Sequence, residues 1–321
     1  MNEKTTAFGR FLHSGGFPGS FLGAPRVVPS PDALAEHLGA VAVLGVPFDG
    51  MCISRSGANH GPKAIREASE QSSSFNASRG IDLLEHFPVI DCGDAAVVPG
   101  GPERTFAEVE SIMDNFHTRQ IRPVTLGGDH SVAIICLRAF ARHYRKPGLI
   151  LVDSHYDTAE ELGGEPLSHC CPITRAVDAG FDPANIVILG INGWMNPTNE
   201  MEYAQKHGMT VIHQEEIITQ GIEATARRCR GIVENDTDGV YMSFDIDAID
   251  AAFAPGTGVP AAGGLTSREA IELARLLGAA GGGLGGFDLV EVSPPYDSAG
   301  ITSRLASTLI LETLGSIAVA G

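Results

Sequence analysis

The sequence predicts an α/β fold: three layers, α-β-α, around a mostly parallel sheet of eight strands. Three observations carry this. Short apolar runs alternate with longer stretches of helical periodicity along most of the chain. A strand followed by a helix before the next strand pairs in parallel, and a parallel sheet needs cover on both faces. Acid- and histidine-rich motifs follow directly on several of the apolar runs, where an open parallel sheet collects its ligands, at the carboxyl ends of the strands.

Residues 1–30, rich in Gly, Pro and Ser, read as an irregular N-terminal arm lying over the body or a neighbouring subunit. Residues 31–321 read as a single domain, since no internal repeat, low-complexity tract or dividing linker interrupts them. A short helix near 31–38 opens it. Strands are expected at 41–46, 88–91, 122–126, 149–153, 185–191, 210–213, 239–245 and 284–290. Helices are expected at 62–73, 103–118, 131–144, 171–179, 199–207, 222–235, 267–280 and 303–314. The apolar stretch from Ile301 is interrupted by Arg304 and Glu312, so it reads as a packed amphipathic helix.

Composition removes some classes of function. With 43% hydrophobic and 19% charged residues the chain resembles an ordinary soluble globular protein. A formal net charge of -17 repels nucleic acid and anionic membrane surfaces, so neither is expected as a partner. The six cysteines form no CxxC pair and no small disulfide framework, which suits reduced thiols. Residues 1–16 hold no apolar core of signal-peptide length, and no uncharged run reaches the roughly 18 residues of a spanning helix. A cytoplasmic location is expected.

Three clusters carry the chemistry. In Leu126-Gly127-Gly128-Asp129-His130-Ser131 a strand turns through two glycines, Ser131 is placed to cap the next helix, and His130 reaches the sheet's carboxyl edge. Alone, such a histidine is more often structural. In Asp153-Ser154-His155-Tyr156-Asp157, which follows the buried run Leu149-Ile150-Leu151-Val152, extended geometry puts Asp153, His155 and Asp157 on one face and Ser154 and Tyr156 on the other. In Tyr241-Met242-Ser243-Phe244-Asp245-Ile246-Asp247, Asp245 and Asp247 share a face; taken alone, this reads as a strand end entering a capped turn through Asp250. Together they bring two imidazoles and four carboxylates to one end of one sheet. Buried carboxylates repel and lose hydration, so they need protons or cations. Four aspartates neutralise two divalent ions, and carboxylate-rich ligation with some imidazole suits manganese, with nickel as the alternative. Two ions sharing a water lower its pKa and aim a nucleophile at neutral pH.

At these residues the sequence resembles the ureohydrolase family of arginases, agmatinases and other guanidino-group amidinohydrolases, and looks closer to agmatinase than to arginase. The family's GGDHS motif is present at 127–131. Its DAHxD motif is Asp153-Ser154-His155-Tyr156-Asp157 here, and its SxDxDxxDPxxAPGTGTPExGG motif corresponds to 243–264. Gly45-Val46-Pro47-Phe48-Asp49 and Gly61-Pro62-Lys63-Ala64-Ile65-Arg66 extend the match, which spans roughly residue 41 to the end. The resemblance implies an arginase-like fold with His130, Asp153, His155, Asp157, Asp245 and Asp247 as ligands of two metal ions. It implies hydrolysis of a guanidinium C–N bond to urea and an amine. Asp157 would also hold the nucleophile, His169 in Leu167-Ser168-His169 would shuttle a proton, and Glu291 would pair with the guanidinium. Read without the family, His169 is equally a loop histidine and Glu291 a capping or salt-bridged glutamate. A homo-oligomer, trimer or hexamer, is also implied, and a hetero-oligomer with a paralogous subunit stays open.

Departures from the family pattern bear on the substrate. Cys170-Cys171-Pro172 stands where Gly-Thr or Gly-Ser usually follows the shuttle histidine; Ala261 replaces Glu, Ala251 replaces Pro and Ser154 replaces Ala. Asn192 takes the place of the arginine in the agmatinases' Ile-Arg-Gly, and Trp194, the only tryptophan, is expected near the mouth as a pocket wall or as plain packing. The expectation is therefore an atypical guanidino compound rather than agmatine: a guanidino acid, free guanidine or a biguanide such as metformin. Three alternatives are weaker. A non-catalytic partner subunit has no use for six intact ligands, a deacetylase-like or phosphoesterase centre fits the motif order less well, and the GxGxxG at 281–286 precedes a strand instead of opening a helix. Vicinal Cys170 and Cys171 lack a catalytic set and read as small packing residues. Asp297, Glu160 and Glu161 are expected at the substrate mouth or in water.

Overall fold

Strand β1 (Val41–Gly45) is buried at all five positions, with Val41 and Val43 in one apolar cluster and Ala42 and Leu44 in another. A strand that divides its side chains between two cores lies in the middle layer of three. This holds in the computed structural model, which describes residues 19–320. Residues 1–18 of the expected arm lie outside the described residues. The other strands are β2 (Val89–Asp94), β3 (Arg122–Leu126), β4 (Pro147–Val152), β5 (Ile186–Ile191), β6 (Thr210–His213), β7 (Gly239–Asp245) and β8 (Gly286–Val290). They form one eight-stranded sheet in the order β2-β1-β3-β8-β7-β4-β5-β6. Every pairing in it is parallel.

The helices are α1 (Pro31–Leu34), α2 (Gly61–Ser69), α3 (Leu83–His86), α4 (Pro102–Thr118), α5 (Ser131–His143), α6 (Pro172–Ala179), α7 (Thr198–His207), α8 (Gln214–Gln220), α9 (Ile222–Val233), α10 (Ser267–Leu277) and α11 (Ile301–Ala320). Helices α4, α5 and α6 supply Phe106, Phe140 and Ile173 to one core, while α2, α9, α10 and α11 supply Ile65, Ala226, Leu273 and Leu309 to the other. Besides short 3₁₀ turns, the helices α3 and α8 and a small antiparallel hairpin of Phe75–Asn76 with Ile81–Asp82 were not expected. The hairpin occupies residues where α2 was expected to end and loop, and α2 stops at Ser69.

Helix α11 departs from the amphipathic reading. It is longer than expected at both ends, and burial extends beyond the stripe Thr302, Leu305, Ala306, Leu309 and Ile310 to Ser303, Ser307, Leu314 and Gly315. It is the one helix among the described residues long and apolar enough to cross a membrane, yet 61% of its apolar window is buried inside the protein, where it packs on α10 and α2. Asp297, expected at the mouth or in water, is instead buried at the start of this helix, accepting from the N–H groups of Thr302 (3.1 Å) and Ser303 (2.9 Å).

Residues 19–27 follow the sheet edge. Val27 N–H donates to the Asp91 carbonyl at 3.0 Å, and Phe21 N–H donates to Asp91 Oδ2 at 2.6 Å. The fully buried Asp91 also accepts from Arg66 Nε at 2.8 Å, and the Arg66 guanidinium reaches Asp94 and, at 2.8 Å, the Gly93 carbonyl. This one buried ion pair joins α2, the end of β2 and the segment before α1. Removing the cation alone leaves Asp91 desolvated without a counter-charge, held only by the N–H groups of Phe21 and Gly93. Arg66→Ala is expected to lower stability to chemical denaturation by about 3–5 kcal/mol, and pairing it with Asp91→Asn should recover part of that loss.

Candidate functional site

At the carboxyl edge of the sheet, the loops after β3, β4, β7 and β8 converge. The β3 loop passes between β8 and Phe48: Gly127 N–H donates to the Leu289 carbonyl, Asp129 N–H to the Phe48 carbonyl, and a Cβ on Gly128 would lie 1.8 Å from the Phe48 oxygen. The expected cap of α5 by Ser131 is replaced by Asp129, whose Oδ1 accepts from Ser131 N–H at 3.1 Å and from the Ser131 hydroxyl. Asp129 Oδ2 also accepts from Met51 N–H at 2.8 Å, tying the 50–57 loop to the site. Burial pushes the Asp129 carboxyl up to about 7.

All six expected ligands meet here. His130 Nδ1 stands 2.8 Å from Asp157 Oδ2, 3.0 Å from Asp153 Oδ2 and 3.2 Å from Asp245 Oδ2. His155 Nδ1 stands 3.2 Å from Asp153 Oδ1 and 3.1 Å from Asp247 Oδ2. The donor atoms fall into two groups, His130 with Asp153 and Asp157, and His155 with Asp153 and Asp247. Asp153 belongs to both, so its two oxygens face two different positions. Every aspartate of the set is buried.

The route to this convergence differs from the expected one. β4 ends at Val152 and Asp157 adopts φ 51°, so a turn, not strand alternation, returns Asp157 to the cluster. Ser154 points inward as well: its hydroxyl donates to Asp247 Oδ1 at 2.8 Å. β7 ends at Asp245, a 3₁₀ turn follows (Ile246–Ala248), and Asp247 N–H donates to Asp245 Oδ1 at 2.7 Å.

Hydrogen-bond accounting around His130 tests whether cations fit. The Ser243 hydroxyl donates to Asp288 Oδ1 at 2.6 Å, so its oxygen accepts from His130 Nε2–H at 2.9 Å. Tyr241 OH holds the other Asp288 oxygen at 2.9 Å. With the proton fixed on Nε2, Nδ1 turns a lone pair toward three carboxylates. His130 Nδ1 and Asp153 Oδ2 are both buried without a hydrogen-bond partner. Only a second proton or a cation makes that stable. The electrostatics agree. Burial alone would lower the His130 pKa, but Asp153, Asp157 and Asp245 raise it well above the usual range. Burial and neighbouring carboxylates raise Asp245. Divalent ions satisfy the same demand, and the donor set of carboxylates and imidazoles is one they accept.

Beside the cluster, a cavity of about 350 Å³ opens toward solvent, lined among others by His169, Glu291, Cys170, Met195 and Glu200. Glu291 follows β8 at φ 63° and its Oε1 meets His169 Nδ1 and His130 N–H, each at 2.9 Å. Oε2 lies on the side where Gly258 leaves room; a Cβ there would stand 3.3 Å away. Against the effect of burial, Cys170 and Glu291 push the His169 imidazole up to about 12. Trp194 does not form a wall or pack: it is fully exposed, and its neighbour Met195 lines the cavity. Asn192 donates to the Ala262 carbonyl at 2.8 Å and pins its loop to the third motif. Glu160 and Glu161 are exposed and do not line the cavity.

Sequence reasoning missed Ser154, Ser243, Asp288 and Glu200. Asp288 could have been found, since an acid inside the apolar run Gly286-Phe287-Asp288-Leu289-Val290 needs a buried partner. Glu200 carried no such signal, because an acid in the first turn of a helix is ordinary.

Comparison with known proteins gives the family. The arginase family model matches residues 39–315. The guanidinopropionase of Pseudomonas aeruginosa is 36% identical over 296 residues, 92% of each chain, and the mitochondrial agmatinase of Gallus gallus is 37% identical over 286 residues, 87% of this chain and 81% of its own. The solved proclavaminate amidino hydrolase of Streptomyces clavuligerus superposes with a TM-score of 0.86 at 33% identity, covering 97% of this chain and 99% of its own. The chain therefore belongs to the arginase family, the ureohydrolases that act on C–N bonds of linear amidines.

Proposed function

We propose that the chain is a binuclear metal-dependent amidinohydrolase, agmatinase-like, that splits a guanidino compound into urea and an amine. The observation that carries this reading is the pair of donor groups sharing Asp153, with the lone pair of His130 Nδ1 aimed at three carboxylates. His130, Asp153, Asp157 and Asp245 would hold one ion and His155, Asp153, Asp245 and Asp247 the other. Manganese suits these ligands, and nickel is the alternative. When bound, the ions supply Lewis acidity that makes water a nucleophile at neutral pH.

The remaining roles fall to the chain's own side chains. Asp157 orients the attacking water from the floor of the cavity. Glu291 binds the guanidinium through Oε2 while Oε1 positions His169. His169 delivers a proton to the leaving amine. Two contacts bracket the states such a residue visits: the Ile53 N–H, 3.3 Å from Nε2, can donate only to the neutral ring, whereas Glu291 favours the imidazolium. The substrate is an atypical guanidino compound, drawn from guanidino acids, guanidine and biguanides. Residues 31–321 act as one domain, in a cytoplasmic homo-oligomer, trimer or hexamer, as the family resemblance implies.

Asp245→Ala is expected to lose bound metal and hydrolysis together, read by elemental analysis and urea release; full activity after rigorous metal removal would defeat the proposal. Ser243→Ala frees the tautomer of His130, so metal affinity should fall about 10–100-fold with the fold intact, as a metal titration would report. Chelation should lower Tm and added manganese or nickel should restore it, because ions that bind only the folded state stabilise it by mass action. The decisive assay measures urea and amine release over a panel of guanidino compounds with each metal. A panel without activity, on protein carrying two ions, would return weight to a non-catalytic partner subunit.

A further inference from the structure

Ser154 stands among the ligands without being one. It is 1% exposed in the turn after β4, and its hydroxyl donates to Asp247 Oδ1 at 2.8 Å while its N–H reaches the same oxygen at 3.3 Å. Ala, the residue usual at this place in the family, has no hydroxyl proton to give. The Ser154 backbone is fixed from behind, where its carbonyl accepts from Asn192 N–H at 3.1 Å and from Asn196 Nδ2 at 3.0 Å. Its hydroxyl oxygen also lies 3.3 Å from His155 Nδ1. Once that ring nitrogen gives its lone pair to an ion, Asp247 is the acceptor left for the hydroxyl proton. Asp247 Oδ1 is then engaged, and Oδ2, 3.1 Å from His155 Nδ1, is the oxygen free to face the ion.

The neighbouring carboxylates are restrained too, but by the backbone. Asp245 Oδ1 accepts from Asp247 N–H at 2.7 Å, and Asp153 Oδ1 accepts from His155 N–H at 2.6 Å. Peptide groups hold those two oxygens, whereas a side chain holds Asp247. A carboxylate whose second oxygen is free closes a narrow chelate ring on an ion. Larger ions with flexible coordination accept such a ring, and smaller ions that demand near-ideal octahedral angles do not. Manganese, with its half-filled d shell, has no geometric preference and is the larger of the two candidates; nickel is the smaller and stricter. Composition alone favours manganese at a carboxylate-rich centre. The Ser154 hydroxyl opposes that preference on the His155 side.

We propose that Ser154 is a positioning residue that keeps Asp247 a one-oxygen ligand, so that the metal position beside His155 selects nickel over manganese. This rests on the binuclear reading and narrows its metal. The test titrates metal-free wild type and Ser154→Ala separately with manganese and with nickel, reading the two binding steps by calorimetry and the bound ions by elemental analysis. At one step the ratio of the manganese Kd to the nickel Kd should fall about tenfold when the hydroxyl is lost, and at the other step it should stay the same. Sites of this kind bind nickel more tightly than manganese in any case, and comparing the ratio between two proteins cancels that general order. Ratios that match in wild type and variant at both steps would overturn the inference, as would a step weakened equally for both ions, which is what a merely structural role predicts. Wild type that binds neither ion would overturn the binuclear reading with it. Absence of urea and amine from every compound, on protein carrying two ions, would overturn the hydrolase reading alone.

Discussion

Four carboxylates packed beneath the surface around two imidazoles are the constraint on which the rest of the architecture depends. Left to themselves they repel, and each has lost its hydration. The fold contributes what brings them together against that repulsion. Adjacent parallel strands β3, β8, β7 and β4 end at one level, so loops leaving them meet without long excursions. The loops are then cross-tied by backbone bonds that do not involve the ligands: Glu291 N–H to the Gly128 carbonyl, and Asn192 N–H to the Ser154 carbonyl. The left-handed backbone at Asp157 and Glu291 is unfavourable for residues with a Cβ, and it occurs at two positions where the side chain must be turned into the site. Strain of that kind persists where the surroundings over-determine it, as these cross-ties do.

What the amino-acid sequence makes legible depends on what each feature needs. Strands announce themselves by short apolar and β-branched stretches between turn or polar residues, and β3, β6 and β7 have the expected boundaries because Arg122–Leu126, Thr210–His213 and Gly239–Asp245 are mostly such stretches. The ligand set is legible because its chemistry needs particular residue types at fixed spacing. The path of the chain is not. Strand alternation puts Ser154 on the far face, whereas the turn at 153–157 brings it to Asp247. The hairpin at Phe75–Asn76 and Ile81–Asp82 is only two residues per strand and leaves no periodic trace. Helix α11 reads as amphipathic only if Arg304 and Glu312 define its polar face. In the structure Glu312 lies over Arg275 (3.0 Å) and Arg79 (3.5 Å), so the acid is packed against neighbours.

The layer behind the ligands follows the same logic one step further out. His130 presents its lone pair because the Ser243 hydroxyl donates to Asp288 and so accepts from His130 Nε2–H, and Asp288 is held in turn by Tyr241. All three residues come from β7 and β8, which are direct neighbours in the sheet, with Ser243 in register with Asp288. Sheet register therefore sets an imidazole tautomer. Burial keeps the Asp288 pKa up, to about 6, and the nearby His130 opposes that. A buried acid with both oxygens occupied by hydroxyls can hold this role without a metal of its own.

The division between strand-borne and loop-borne residues explains how one family can keep its chemistry and vary its substrates. Ligands and their supports sit at strand ends, where moving one residue disturbs several pairings at once. Much of the cavity wall is drawn from the 50–57 loop, the 159–170 loop and the 192–198 segment. Substitution there changes charge and shape at small cost to the centre. In this chain Cys170 and Met195 belong to that wall. Of the departures from the family pattern, Cys170 lies in it and Asn192 in the 192–198 segment, whereas Ser154 stands among the six intact ligands. Selection acting on substrate would therefore be read in the wall.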